Sequence, residues 1–252
     1  MLLLLIGVVL TVYVCADFLF TTIGGTPSRF LSFRIARWVF AVFRRLPDRR
    51  FRHIAVGPVV MSAVALWWVA GIGMGWGMIF NGFDRAVIMS KSGADAGLVG
   101  AISHAGHLLS TVGGGKTEPS NLGYALLGVV CAVNGMVVLT LSVSFVLSTT
   151  QTVSNGRGLL LLQRVMAPGV AGYRSSVLPQ LATLVAQLNT APFALFYSHP
   201  DPEMRLPRML VETFCSDDAA RVLLSSLPQE PEPTIEGLSC WAQAYRLSPR
   251  SV

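Results

Sequence analysis

The run LGYALLGVVCAVNGMVVLTLSVSFVLSTT, residues 122–150, contains no charged side chain. A helix needs about 20 consecutive apolar residues to cross the hydrocarbon core of a bilayer, and this run is longer than that. We therefore predict that residues 122–150 form a transmembrane helix.

Two further runs towards the N-terminus have the same character. Residues 54–80 hold no charged side chain, and residues 2–20 hold only Asp17. Over the 252 residues, 52% are hydrophobic and 13% are charged, whereas soluble domains usually carry about 25% charged residues. The N-terminus lacks the basic stretch that opens a secretory signal. The sequence predicts an all-α integral membrane protein with three spans.

The positive charge of the chain is concentrated in the loop between the first two runs. Eight arginines lie between residues 28 and 53, against the single acid Asp48. By the positive-inside rule this loop is cytoplasmic. We therefore expect a multi-pass protein of the cell (inner) membrane, with the N-terminus outside and the C-terminal tail in the cytoplasm.

Part of this arginine loop has the pattern of an amphipathic helix. At 100° per residue, Arg34, Arg37, Arg44 and Arg45 share one arc, and the rest of the helix surface is apolar. This is typical of a helix that lies in the membrane interface. We expect its partners to be membrane lipids, anionic ones above all, and not nucleic acid.

Residues 96–115, between the second and third runs, form another uncharged stretch. Its helical part is too short and too polar for a full span, and a run of three glycines follows. Irregular backbone is tolerated at membrane depth only where protein or a water-filled cavity shields it. The stretch is therefore predicted to be a re-entrant loop.

The end of this stretch, Gly-Gly-Gly-Lys-Thr at residues 113–117, looks like the end of a phosphate-binding loop. That motif requires glycine five residues before the Gly115–Lys116 pair, where this chain has Ser110. It also requires a preceding strand in an aqueous fold. We therefore do not expect a nucleotide at this loop.

The motif Ser110-Thr111-Val112-Gly113-Gly114-Gly115, after a short helix and before a long span, resembles the pore module of the potassium-channel superfamily. There, two spans bracket a pore helix and a filter with the pattern Thr-Val-Gly-Tyr/Phe-Gly-Asp. The carbonyls of the filter replace the hydration shell of the ion. The resemblance covers about residues 54–150, and the first span with its basic loop is similar to a bacterial branch with an extra N-terminal span.

The resemblance implies a homotetramer that conducts K⁺ or another monovalent cation, with no cofactor and no resident metal. Ser110–Gly115 would form the selectivity filter, and Lys116 and Glu118 the outer mouth. Gly135 would be the hinge of the inner helix. Its neighbour Asn134 would either face the cavity or make a hydrogen bond that packs helices together.

The departures from the family pattern concern the filter. Gly114 stands where the family has an aromatic residue, and residues 96–110 contain no aromatic side chain to pack against one. Consecutive glycines add backbone freedom, so we expect weakened potassium selectivity. Lys116 replaces the family's acid. At about 8 Å in water, each of four such charges would cost an entering cation roughly 0.5 kcal/mol.

Two other functions stay open. The departures in the filter motivate a non-conducting pore-fold scaffold or regulatory subunit, and a four-span small transporter would result if residues 96–115 crossed the membrane fully. An enzyme is not expected, because no carboxylate pair, metal-ligand cluster or nucleophile–base grouping occurs at a usable spacing. His104 and His107 share a helix face and are interpreted either as a metal-binding or proton-sensing pair or as silent packing residues.

The chain is divided into three predicted parts. Residues 1–53 hold the first span and the basic interfacial helix, residues 54–157 the two-span pore module, and residues 158–252 a small helical cytosolic tail. In the tail, residues 177–188 and 206–227 are predicted helices. No motif identifies a partner of the tail.

Overall fold

Three long apolar helices dominate the computed structural model of the chain, in which residues 1–23, 30–113, 115–166 and 172–247 are described. They are α1 (Leu2–Thr22), α3 (Arg50–Gly82) and α5 (Leu122–Val165). Each is long and apolar enough to cross a membrane. The prediction of three spans is confirmed at this level of length and composition.

The remaining elements are short. The other helices are α2 (Leu31–Arg45), α4 (Gly97–Leu109), α6 (Tyr173–Thr190), α7 (Leu206–Phe214), α8 (Asp218–Ser225) and α9 (Ile235–Ala244), with 3-10 turns at Pro192–Phe196 and Pro202–Met204. Strands β1 (Val87–Met89) and β2 (Thr117–Pro119) pair antiparallel, with Ile88 opposite Glu118. The all-α prediction missed this sheet, because three-residue strands are shorter than the alternation by which a strand is recognised in a sequence.

The chain divides into two compact units. The first contains Met1–Thr22 and Ala65–Ser144, and the second contains Ile23–Val64 and Phe145–Val252. This division cuts α3 and α5, each of which contributes one end to each unit, whereas the sequence predicts boundaries after residues 53 and 157. The basic loop groups with the tail and not with the first span.

Close contact between α1 and α3 characterises the first unit. A Cβ built on Gly7 would lie 2.8 Å from the carbonyl oxygen of Gly75, and one built on Gly71 would lie 2.9 Å from a methyl group of Val14. Small residues permit such approaches between apolar helices, whose association in lipid depends on van der Waals packing. The glycines of α3 are therefore packing positions.

Asp17 joins the same two helices. Its side chain is fully buried and accepts a hydrogen bond of 2.8 Å from Nε1 of Trp67 and one of 3.3 Å from the hydroxyl of Thr21. A buried carboxyl group requires such donors, because its desolvation is otherwise costly.

An aromatic cluster forms the centre of the second unit. Phe193 and Phe196 of the 3-10 turn are buried. Phe33 and Phe40 of α2 lie 5.8 and 5.4 Å from them, between ring centroids, and Phe145 of α5 lies 5.2 Å from Phe193. Large aromatic side chains dominate the packing of a core, so this turn fixes α2 and the C-terminal half of α5 to the tail.

The helix α2 carries two apolar faces. The first, with Phe33 and Phe40, is buried in the aromatic cluster. The second contains Trp38 and Val42, whose side chains are 77% and 54% exposed. The sequence predicted one continuous apolar surface, whereas the structure buries part of it inside the second unit.

The tail contains more helices than predicted. The predicted helix at residues 177–188 is confirmed within α6, but the one at residues 206–227 is wrong, because α7 and α8 are separate. The break occurs where the Asp217 side chain accepts a hydrogen bond of 3.0 Å from the backbone N–H of Ala219 and starts α8. An aspartate N-cap of this kind favours a new helix start. The helix α9, which begins after Thr234, was not predicted.

Candidate functional site

The helix α4 of the first unit packs against both long helices of that unit. A Cβ on Gly77 of α3 would lie 2.7 Å from the Cα of Ile102, and one on Gly135 of α5 would lie 2.5 Å from the carbonyl oxygen of Leu109. A Cβ on Gly73 would lie 3.8 Å from the side chain of Leu109. The last residue of α4 therefore contacts both helices.

The positions of these glycines along their helices show how far α4 extends. Gly73 precedes the last residue of α3 by nine positions, and Gly135 follows the first residue of α5 by thirteen. At 1.5 Å per residue these offsets are about 13 and 20 Å. Thr117, eight residues after Leu109, already belongs to β2 and pairs with β1. The chain therefore returns from the end of α4 to the sheet within eight residues.

The turn that ends α4 contains the first residues of the predicted filter. The N–H of Thr111 donates to the carbonyl of Leu108 at 3.2 Å, and the N–H of Val112 donates to that of His107 at 3.1 Å. These two bonds are the pair that defines a Schellman helix cap. Thr111 occupies the left-handed position of this cap, with φ at 59°, where glycine is usual.

The glycine segment, residues 113–115, shares the left-handed backbone conformation of Thr111 at its two ends. Gly113 and Gly115 have φ values of 96° and 60°, which glycine adopts without steric cost. Gly114 lies outside the described residues. Ser110, Thr111 and Gly113 are exposed, and the Val112 side chain is 75% exposed, so one copy of the chain leaves this segment uncovered.

The predicted outer-mouth residues follow on β2 and beside it. Lys116 and Glu118 are both exposed. The Lys116 carbonyl accepts a hydrogen bond of 3.0 Å from the N–H of Ser90, and Glu118 stands opposite Ile88 in the sheet. The pairing with β1 holds the backbone of both residues while their charged side chains face outward.

The two histidines of α4 have different surroundings. His104 is buried, its Nδ1 lies 3.0 Å from the hydroxyl of Thr117, and its ring lies edge-on 5.4 Å from Phe80. The His107 ring lies against Gly115, where a Cβ would be 2.7 Å from Nε2. The described ranges contain no group of three potential metal ligands among His, Cys, Asp and Glu. His104 therefore has the surroundings of a packing residue.

Asn134 and Gly135 both make contacts within the first unit. The Asn134 side-chain oxygen accepts a hydrogen bond of 3.2 Å from Nε1 of Trp76, and its nitrogen lies 3.4 Å from the sulfur of Cys15. Of the two interpretations of Asn134, these bonds match the one in which its side chain packs helices together. Gly135 lies within the uninterrupted helix α5 and permits the contact with Leu109, while its role as a hinge stays a prediction.

The second unit contains a serine–histidine–aspartate grouping that the sequence spacing did not reveal. Nδ1 of His53 lies 2.8 Å from the hydroxyl of Ser198, and Nε2 lies 2.8 Å from Asp48. His53 and Ser198 are 145 residues apart, so no local pattern could place them together. Arg205 also approaches Nε2, at 3.3 Å.

The surroundings of this grouping favour a structural role. A cavity of about 560 Å³ beside it is lined by Asp48, His53 and Arg205 but not by Ser198. The His53 side chain is 3% exposed. A nucleophile needs access for its substrate, and Ser198 lines a separate cavity of only about 20 Å³, together with Arg205. The bonds of His53 therefore join the start of α3 to the tail.

Comparison with known proteins supports the membrane class. No protein-family model and no solved structure matches the chain. Over 241 residues the chain is 20% identical to the uncharacterized membrane protein YdjJ of Bacillus subtilis (strain 168), a match that covers 86% of this chain and 68% of that protein. Together with the three long apolar helices, this similarity identifies the chain as a membrane protein.

Proposed function

We propose that the chain is one subunit of a potassium-channel-like cation pore, in which Ser110–Gly115 line the ion path. The observation that carries the proposal is the contact of Leu109 with Gly135, together with the return of the chain to β2 within eight residues. A short helix that enters between two spans and returns as glycine-rich backbone fits the re-entrant loop of a pore.

The exposure of the glycine segment supports an assembly of several copies. Val112 is an apolar side chain that is 75% exposed in one chain, and one chain cannot enclose an ion path. Four copies around this segment would cover it and direct its carbonyls to a common axis, as the resemblance to the potassium-channel superfamily implies. We expect a homotetramer by native mass spectrometry.

The electrostatics of α4 favour a cation at this position. The carbonyl end of a helix carries a partial negative charge of about half an electron, and α4 ends at the glycine segment. Four such ends around one axis would attract cations. The three consecutive glycines and Lys116 favour weaker selection of K⁺ over Na⁺ than a filter with an aromatic and an acid.

The arginine loop supports one orientation of the protein in the membrane. We propose that this loop and the tail are cytoplasmic, in a cell inner membrane, with the N-terminus outside. The exposed apolar face of α2 with Trp38 and Val42 would lie against anionic lipids, and Arg34 and Arg45 would reach their headgroups.

The experiment that tests the pore is ion flux through the purified protein in liposomes, under K⁺, Na⁺ and Cl⁻ gradients. We expect comparable K⁺ and Na⁺ flux, no Cl⁻ flux, and loss of flux in Gly113→Leu. The matched control is Gly93→Leu, because Gly93 and Gly113 both have positive φ and a Cβ added at either would meet nothing within 4 Å. The control should retain flux.

The outcomes separate the proposal from its alternatives. Strong K⁺ selectivity would contradict the weakened filter, and equal loss of flux in both glycine variants would contradict a pore at Gly113. No flux at any voltage, pH or lipid composition, from a protein that remains folded and tetrameric, would identify a non-conducting scaffold instead.

A further inference from the structure

A cavity of about 240 Å³ lies in the second unit, between α2 and the C-terminal part of the tail. Its residues include three aromatic and three polar side chains: Phe40, Phe196, Tyr245, Arg37, Arg44 and Gln229. The aromatic side chains are at most 8% exposed, so they form a buried apolar floor. Pockets that hold drug-sized ligands measure about 300 Å³ and above, so this cavity lies close to the lower end of that range.

The two arginines supply positive charge to this cavity. Arg37 and Arg44 are seven residues apart, which places them on one side of α2 about 10 Å apart along its axis. Among the described residues, no acid lines the cavity and neither arginine makes an ion pair. An anion would therefore find two guanidinium groups that no carboxylate neutralises.

Gln229, which forms part of the polar wall of the cavity, has a strained backbone conformation. Gln229 and the next residue, Glu230, have φ values of 73° and 44°, which cost energy for residues other than glycine. The Gln229 side-chain nitrogen donates a hydrogen bond of 3.1 Å to the hydroxyl of Tyr245. Strained residues of this kind cluster at sites that clamp ligands.

The cavity lies on the side of α2 that is opposite its exposed apolar face, and this position favours a soluble ligand over a membrane lipid. At 100° per residue, Arg37 and Arg44 lie about 140° and 160° around the helix from Val42, the centre of its exposed apolar face. A membrane in contact with that face would lie on the opposite side of α2 from the cavity.

We propose that this cavity binds a soluble nucleoside phosphate, with its flat ring on the aromatic floor and its phosphate between Arg37 and Arg44. Arginine binds phosphate oxygens through pairs of parallel N–H groups and retains its charge at all physiological pH values. Aromatic side chains bind a base through its π-face. The site is independent of the pore, since every residue that lines it belongs to the second unit.

The test is calorimetric titration of the full-length protein, in nanodiscs of neutral lipid, with AMP. Ribose 5-phosphate and adenosine are titrated separately, because each carries half of the proposed ligand. We expect saturable binding of AMP and at least tenfold weaker binding of either half. Arg37→Gln and Arg44→Gln should each weaken AMP binding at least tenfold.

The matched controls are Arg34→Gln and Arg45→Gln, which remove the same charge from the same helix outside the cavity. They should change AMP binding less than twofold. Tyr245→Leu, whose helix content and monodispersity are checked first, should also weaken the binding of AMP. It should leave the binding of ribose 5-phosphate unchanged.

Several results would overturn the proposal. These are no heat of AMP binding, equal effects of all four arginine variants, or ribose 5-phosphate that binds as tightly as AMP. The AMP titration is also done in nanodiscs that contain phosphatidylglycerol, because a lipid headgroup is the other source of phosphate. If phosphatidylglycerol competes with AMP, and this competition disappears in Arg37→Gln, the cavity binds a lipid headgroup instead of a soluble nucleotide.

Discussion

The backbone of Leu109 lies so close to Gly135 that a Cβ on this glycine would stand 2.5 Å from the Leu109 carbonyl oxygen and 2.6 Å from its Cα. The neighbouring atoms are backbone and not the far end of a flexible side chain. Glycine at position 135 is therefore what allows α4 to end against α5.

Gly135→Ala should destabilise the first unit. The added methyl group must displace α4, and the strain of overpacking typically costs about 1–3 kcal/mol. We expect a lower midpoint of thermal unfolding in detergent. The control is Gly158→Ala in the same helix, where a Cβ would meet nothing within 4 Å. This change should be neutral or stabilising, since alanine favours helix, and a drop equal to that of Gly135→Ala would refute the contact.

Thr111→Gly should stabilise the protein. Thr111 holds a left-handed conformation at the end of α4, which costs a residue with a side chain about 1–2 kcal/mol, and glycine removes that cost. Thermal unfolding should show a higher midpoint for Thr111→Gly. The helical and exposed Thr140 is the control, because Thr140→Gly should lower the midpoint. Destabilisation by both changes would show that Thr111 is not left-handed.

The three spans could be predicted because apolar runs of about 20 residues or more, with at most one charged side chain each, are typical of membrane-crossing helices. The glycine segment was also found from local pattern. The turn at Thr111 could not be predicted, since threonine rarely adopts a left-handed conformation. Contacts such as Phe33 with Phe193 and His53 with Ser198 were equally out of reach, because they join distant parts of the chain through non-local packing.

Trp67→Phe should destabilise the contact between α1 and α3. The change removes the indole N–H that lies 2.8 Å from a carboxylate oxygen of Asp17, and the loss of one donor to a buried acceptor costs up to about 1–3 kcal/mol. Thermal unfolding in detergent measures the loss. Trp38→Phe is the control, because Trp38 is 77% exposed.

A double-mutant cycle isolates this hydrogen bond. Asp17→Leu combined with Trp67→Phe removes both partners, and the pair of changes should cost less than the sum of the single changes. Additive costs would mean that the bond between these two side chains contributes nothing.

The tail should lose stability at high pH through Tyr245. Burial raises the pKa of Tyr245 to about 12, above the ordinary value of about 10. The unfolded chain therefore ionises first, so the stabilisation is fully present below pH 10 and is lost as the pH rises towards 12. At pH 11.5 the loss should be roughly 1 to 2 kcal/mol. Tyr245→Phe should lose less stability than wild type between pH 9 and 11.5, and identical losses would contradict the raised pKa.

Lys116→Asp should increase cation flux in the proposed tetramer. Lys116 is exposed beside the glycine segment, and four such charges at about 8 Å in water would cost an entering cation roughly 2 kcal/mol in all. Removing the charges should relieve this cost and reversing them should attract cations, so flux at low salt should increase from wild type to Lys116→Gln to Lys116→Asp. The differences should shrink at 1 M salt, where the Debye length is about 3 Å. Because the Lys116 backbone is bonded to Ser90, these substitutions leave the local pairing intact. Flux in a conducting protein that is the same for all three side chains would contradict a ring of charge at position 116.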